Sequence, residues 1–67
     1  MKLSRVLWSI SPIDRVRIQD SKGIIYAGVL SDFNANVEGF WKLLERKVDR
    51  ISANKDVIIV LLTNEGV

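Results

Sequence analysis

Val57-Ile58-Ile59-Val60-Leu61-Leu62 decides how this chain folds. The run is apolar throughout and its first four residues are β-branched, which suits a pleated strand. A strand with one wet face alternates apolar and polar side chains; a strand without alternation reads as covered on both faces. The expectation is a C-terminal strand over residues 57–63, with nearly all the remaining chain, or a second copy beside it, serving as its cover. Just before it, Asn54-Lys55-Asp56 is a turn signal that would fold a preceding strand back onto the run.

What precedes that turn has two readings. Val37, Phe40, Trp41, Leu44, Val48 and Ile51 follow a helical period, with Lys42, Glu45, Arg46 and Asp49 on the other side. Periodicity alone carries this helix to Ser52. The alternative is a helix over about 37–46 and a short strand over 48–52, although Val48 and Ile51, three apart, would then point to opposite faces. Phe40 is expected inward and Trp41 at the margin, since adjacent helical residues lie about 100° apart. Ser31 to Asn36 is rich in turn and cap residues and reads as a loop.

Residues 13–31 read as a β-hairpin. Val16 and Ile18 alternate with Arg15, Arg17 and Gln19, and Asp20-Ser21-Lys22-Gly23 offers a turn with glycine in the left-handed position. In the implied register Asp20 faces Ile24, Ile18 faces Tyr26, Val16 faces Gly28, Arg17 faces Ala27 and Arg15 faces Val29. One face, with Val16, Ile18, Tyr26 and Leu30, is core. The other mixes Ile25, Ala27 and Val29 with the aliphatic stems of Arg15 and Arg17, and is the first candidate for a partner surface. Ahead of the hairpin, Leu3, Val6, Leu7 and Ile10 mark a short N-terminal helix that Ser4 would cap and Pro12 would end.

Sixty-seven residues make a single domain, 1–67, near the lower limit for a core without staples, and the chain has no cysteine or histidine. A hydrophobic share of 48% leaves more apolar surface than so small an interior hides. At about 25 cal/mol per Å² such surface favours self-association or a partner, so a homodimer is expected. Ten basic and eight acidic residues give +2, little for a nucleic-acid binder. No targeting signal or membrane-length run is visible, and the lack of cysteine fits the cytoplasm.

The run Val16-x-Ile18-x-Asp20, then Tyr26-x-Gly28, Leu44-x-x-Lys47-Val48-x-x-Ile51 and Asp56-Val57-Ile58, resembles small proteins of phages and prophages of Gram-positive bacteria. That resemblance covers residues 13–62 on short motifs of common residues. It implies a ββα-β(β) domain acting by binding, for example as an inhibitor of a host defence system in the host cytoplasm, and it favours the early end of the helix. Gly28, Leu30 and Phe33 are also similar to the first motif of the Sm-like RNA-binding fold. There Asn34 stands in place of an acid, Glu38 in place of an asparagine, and Ile51-Ser52-Ala53 in place of hydrophobic-Arg-Gly. The second resemblance implies an N-terminal helix and a strongly bent five-stranded sheet, with an RNA- or nucleotide-binding module as the alternative function.

Catalytic chemistry finds few candidates. Without histidine or cysteine the commonest general base and covalent nucleophile are missing, and the serines have no histidine partner. Asp20, Asp32 and Asp56 sit at turns or caps, and the glycines stand singly rather than in a phosphate loop. No enzyme, cofactor or metal is expected. The sequence reads as α+β: a small antiparallel sheet with a short N-terminal helix, acting by stoichiometric binding to a host protein. The candidate contact residues are Arg15, Arg17, Lys22, Ile25, Val29 and Trp41. A solvated edge strand guarded by its charges is the plainer explanation of the arginines.

Overall fold

The strands marked by the alternating stretch and by the apolar run, β1 (Arg15–Asp20) and β4 (Val57–Leu62), lie side by side and run parallel. In the computed structural model, which describes residues 1–37 and 39–63 and only the backbone of Asn34 and Asn36, each has an antiparallel neighbour. The frayed tail expected at 64–67, and Glu38 on its expected solvated helix face, lie outside the described residues. β2 (Gly23–Val29) returns along β1 and β3 (Val48–Asn54) along β4, giving the order β2-β1-β4-β3.

The architecture is α+β with a small sheet and a short N-terminal helix, but the sheet is mixed rather than wholly antiparallel. The connection explains why. β2 and β3 run the same way at opposite edges, so the chain between them must cross the sheet. It crosses over one face through a 3₁₀ turn (Leu30–Asp32), α2 (Phe33–Asn36) and α3 (Phe40–Leu44), and delivers β3 to the far edge. β4 then folds back between β3 and β1, parallel to β1. Four strands in this order also differ from the five-stranded sheet that the Sm-like resemblance implies.

The strand reading of 48–52 is the one formed, extended to Asn54, and the helix ends before it. Val48 pairs with Leu62 and Arg50 with Leu61, leaving Asp49 as a bulge. That extra residue puts Val48 and Ile51 on the same side, so their three-residue spacing is compatible with one strand. The helix expected over 37–46 shrinks to α3 because Val37 is extended and Gly39 is left-handed at φ 69°. Phe33, read as loop, opens α2 and is buried instead.

α1 (Leu3–Trp8) buries Leu3, Val6 and Leu7 on the same face. Ser4 does not cap it; Lys2 holds the N-cap position without a side-chain bond. The start is fixed by tertiary pairing: Leu3 N–H donates to Arg46 C=O at 2.8 Å and Val48 N–H to Met1 C=O at 2.8 Å. Val16, Ile18, Tyr26, Val60 and Leu62 complete the core from the sheet. Across it runs an edge-to-face series, Tyr26–Phe33 at 5.4 Å and Phe33–Phe40 at 6.0 Å between centroids, favourable for ring quadrupoles. The Tyr26 ring folds back over Gly28 and its hydroxyl donates to Val29 C=O; a Cβ on Gly28 would stand 3.0 Å from that hydroxyl. Burial, with the Asp32 charge secondary, raises the Tyr26 phenol above its ordinary value.

Candidate functional site: the uncovered face of the sheet

Burial alternates over Ile59 to Leu62 of β4 although composition does not. Ile58, Val60 and Leu62 point to the core, Val60 and Leu62 with at most 2% exposure. Val57, Ile59 and Leu61 point the other way and remain half-buried. Within one chain the run is therefore covered on one face only, and any cover for the other face is left to a second chain. α1, α2 and α3 all pack on the core side, and among the described residues no element covers the other face. What shields Val57, Ile59 and Leu61 is their neighbours within the sheet.

The register specifies those neighbours row by row. Val29, Arg15, Val57 and Asn54 form one cross-strand row, and Ala27, Arg17, Ile59 and Ser52 the next. The third is Ile24, Gln19, Leu61 and Arg50. Side chains in a row stand side by side, so the aliphatic stems of Arg15 and Arg17 lie against Val57 and Ile59 with their guanidinium groups free to reach outward. The face thus carries an aliphatic stripe on β4, flanked by Arg15 and Arg17 on β1 and by Arg50 on β3. No carboxylate stands in the three rows. A shallow depression lined by Arg15, Arg17, Ala27, Val29 and Val57 runs between β2, β1 and β4.

The structure brings Arg15, Arg17 and Val29 together on this surface. The other candidate residues lie elsewhere. Lys22 is exposed at the hairpin tip, where its backbone N–H donates to Asp20 Oδ1 at 2.9 Å. Ile25 is displaced by a bulge: Ile18 pairs with Tyr26 but Gln19 with Ile24 and Asp20 with Gly23, so Ile25 is the extra residue and packs against the core. Ile24, 60% exposed, takes its place on the open face. Trp41 is 61% exposed with its ring on Phe40 at 5.4 Å, in the helical layer behind the sheet, so it cannot join the same contact. Phe40 does turn inward, as its helical angle requires.

Sequence reading missed Val57, Ile59, Leu61 and Arg50 as surface residues. A hydropathy pattern cannot distinguish a face covered by the chain's own helices from one left open, because both are built from the same side chains. It also missed Arg46, placed on the solvated helix side. Its guanidinium instead bridges two strand ends, Nη1 donating to Asp20 Oδ2 at 3.0 Å and Nη2 to Thr63 C=O at 2.9 Å. This pairing and the Lys22 N–H hold the Asp20 carboxyl below the usual carboxylate range, against the opposing effect of burial.

The helical side has its own depressions. One is apolar, bounded by Leu7, Ile10, Leu30, Phe33 and Phe40, with Trp8 at its rim, 85% exposed. Among the described residues no three acids gather to hold a metal ion, and no helix is long and apolar enough to cross a membrane. Compared with protein-family models, curated proteins and solved structures, the chain has no match.

Proposed function

We propose that this chain is a non-catalytic binding protein that acts stoichiometrically on another protein through the open face of its sheet. The observation that carries the reading is the β4 stripe: Val57, Ile59 and Leu61 stand in the middle of a sheet with no layer over them among the described residues. An apolar run without alternation reads as a strand covered on both faces, and at about 25 cal/mol per Å² covering these side chains favours association. The resemblance of residues 13–62 to small phage and prophage proteins directs the reading to a host protein, such as a component of a defence system, in the host cytoplasm.

A heterologous partner suits the face better than the second copy expected from composition. Stacking two such faces would bring Arg15, Arg17 and Arg50 of each copy together where the three rows hold no carboxylate, and unpaired buried charge is costly. RNA or nucleotide binding has less support. The three rows contain no aromatic ring, whereas single-stranded nucleic acid is held largely by stacking.

Affinity capture from host extract with the wild type and with Ile59→Glu, followed by calorimetry on the purified pair, tests the reading. The expected result is one protein retained by the wild type at 1:1 and lost by Ile59→Glu, with the variant still folded cooperatively at the capture temperature. A partner retained equally by both would move the contact elsewhere and refute the role of this face.

A further inference from the structure

Resting on that reading, we infer that the open face is built for one kind of element, an acidic amphipathic helix lying along β4. Two independent features of the face specify it: the shape of the apolar stripe and the sign of the charge beside it.

The β4 stripe is one strand wide, and beyond the β1 arginines the same face carries a second apolar column, Val29, Ala27 and Ile24 on β2. Val57, Ile59 and Leu61 run along β4 over four residue steps, roughly 13 Å at the strand rise. A helix shows apolar residues at i, i+4 and i+8 over about 12 Å. Its diameter of about 10 Å spans two strand spacings of roughly 4.8 Å, so a helix centred on β4 reaches the side chains of β1 and β3 and little beyond. A second sheet would instead press its whole width onto Arg15, Arg17 and Arg50. An extended strand has no use for a sheet's face, since its backbone groups pair only at an edge.

The charge settles which helix. Arg15 and Arg17 border the stripe on one flank and Arg50 on the other, and the three rows hold no acid to answer them. Among the described residues the ion pairs found are Lys2–Glu45 and Arg46–Asp20, both off this face. A partner helix with Asp or Glu flanking its apolar stripe meets three guanidinium groups suited to paired hydrogen bonds with carboxylates. A basic helix of the same apolar content meets repulsion on both flanks.

Fluorescence anisotropy with designed labelled peptides tests this. Two 16-residue helices share one apolar stripe at i, i+4 and i+8 and carry either Glu or Lys at the flanking positions; a single-stranded oligonucleotide of equal negative charge is the third probe. The acidic peptide is expected to bind at least tenfold more tightly than the basic one, and its binding to weaken as salt rises. The Arg15→Glu, Arg17→Glu double variant is expected to reverse the preference. If that variant melts early, Arg15→Gln with Arg17→Gln is expected to abolish the preference without reversing it. Equal binding of the two peptides, binding of neither, or an oligonucleotide bound as tightly as the acidic peptide would overturn the inference. These results are separable from the wider reading. A captured partner that contacts the face without an acidic helix leaves the stoichiometric-binding proposal standing, whereas a face that captures no protein removes both.

Discussion

Replacing Arg46 by methionine keeps the aliphatic stem and deletes the guanidinium that ties the end of β1 to the residue after β4. Two bonds are lost, to Asp20 Oδ2 at 3.0 Å and to Thr63 C=O at 2.9 Å. The Asp20 side chain, 10% exposed, is left without its cation; that of Arg46 itself is 24% exposed, so solvent screens part of the interaction. Hydrogen bonds to charged groups contribute about 1.5–3 kcal/mol each when well shielded. With that screening, the pair together is expected to be worth roughly 2–3 kcal/mol. A chain of this length holds only about 3–10 kcal/mol in total, so the melting temperature should fall by roughly 10–20 °C. Urea unfolding at pH 7 and at pH 2 measures the loss and its origin. Asp20 titrates below its ordinary value in the folded chain, so its contribution is fully present above about pH 4 and is lost as pH falls through the lowered folded value. The gap between wild type and Arg46→Met should therefore narrow on acidification. It should not close, because the bond to the Thr63 carbonyl does not titrate. A loss under about 0.5 kcal/mol at pH 7, or a gap that widens in acid, would show that Arg46 does not clamp the strand ends.

Other perturbations separate the two sides of the sheet. Val60→Asp should unfold the chain, at a cost of more than about 4 kcal/mol, because the site is fully buried; Ile59→Asp, one residue away on the open face and half-buried, should cost less, about 1–2 kcal/mol by thermal melting. Similar losses at both positions would mean that the face is covered. Gly28→Ala should push the Tyr26 ring from its place and cost about 1–3 kcal/mol, checked by unfolding and by the loss of the upward-shifted tyrosine titration in ultraviolet absorbance. Lys55, at φ 58° in the β3–β4 turn, occupies a conformation that glycine adopts freely, so Lys55→Gly should stabilise by about 0.5–1 kcal/mol; a lower urea midpoint would contradict this. Light scattering on the purified chain at about 10 μM should report a 7.6 kDa monomer, given the arginines on the open face; a dimer abolished by Ile59→Glu would reverse that argument.

The residues alone determined the elements whose signal is local. Alternation around Val16 and Ile18 specified β1, and four of the five cross-strand pairs read for it are formed; Asp20 faces Gly23 rather than Ile24, and the bulge at Ile25 restores the register beyond it. The apolar run marked β4, the spacing of Leu3, Val6 and Leu7 marked α1, and the helical angle between Phe40 and Trp41 required the two rings to differ in exposure, Phe40 being the half-buried one. Short-range geometry is enough for these, because turn chemistry and side-chain period act within a few residues. Single extra residues were not legible. Bulges at Ile25 and Asp49 insert one residue each, and one residue changes which face a side chain occupies. Ile24 therefore replaces Ile25 on the surface, and Val48 and Ile51 share a side. Gly39 divides a helical pattern that periodicity reads as continuous.

Only the tertiary structure decided the rest. Whether β1 and β4 pair parallel depends on where the crossing segment delivers β3, and no local pattern encodes that destination. Whether Arg46 is solvated or bridges two strand ends depends on a meeting of residues 26 and 17 positions apart along the chain. The candidate site depends on the same kind of fact. Val57, Ile59 and Leu61 are as apolar as their buried neighbours, and they form a surface because the described helices α1, α2 and α3 all pack on the opposite side of the sheet.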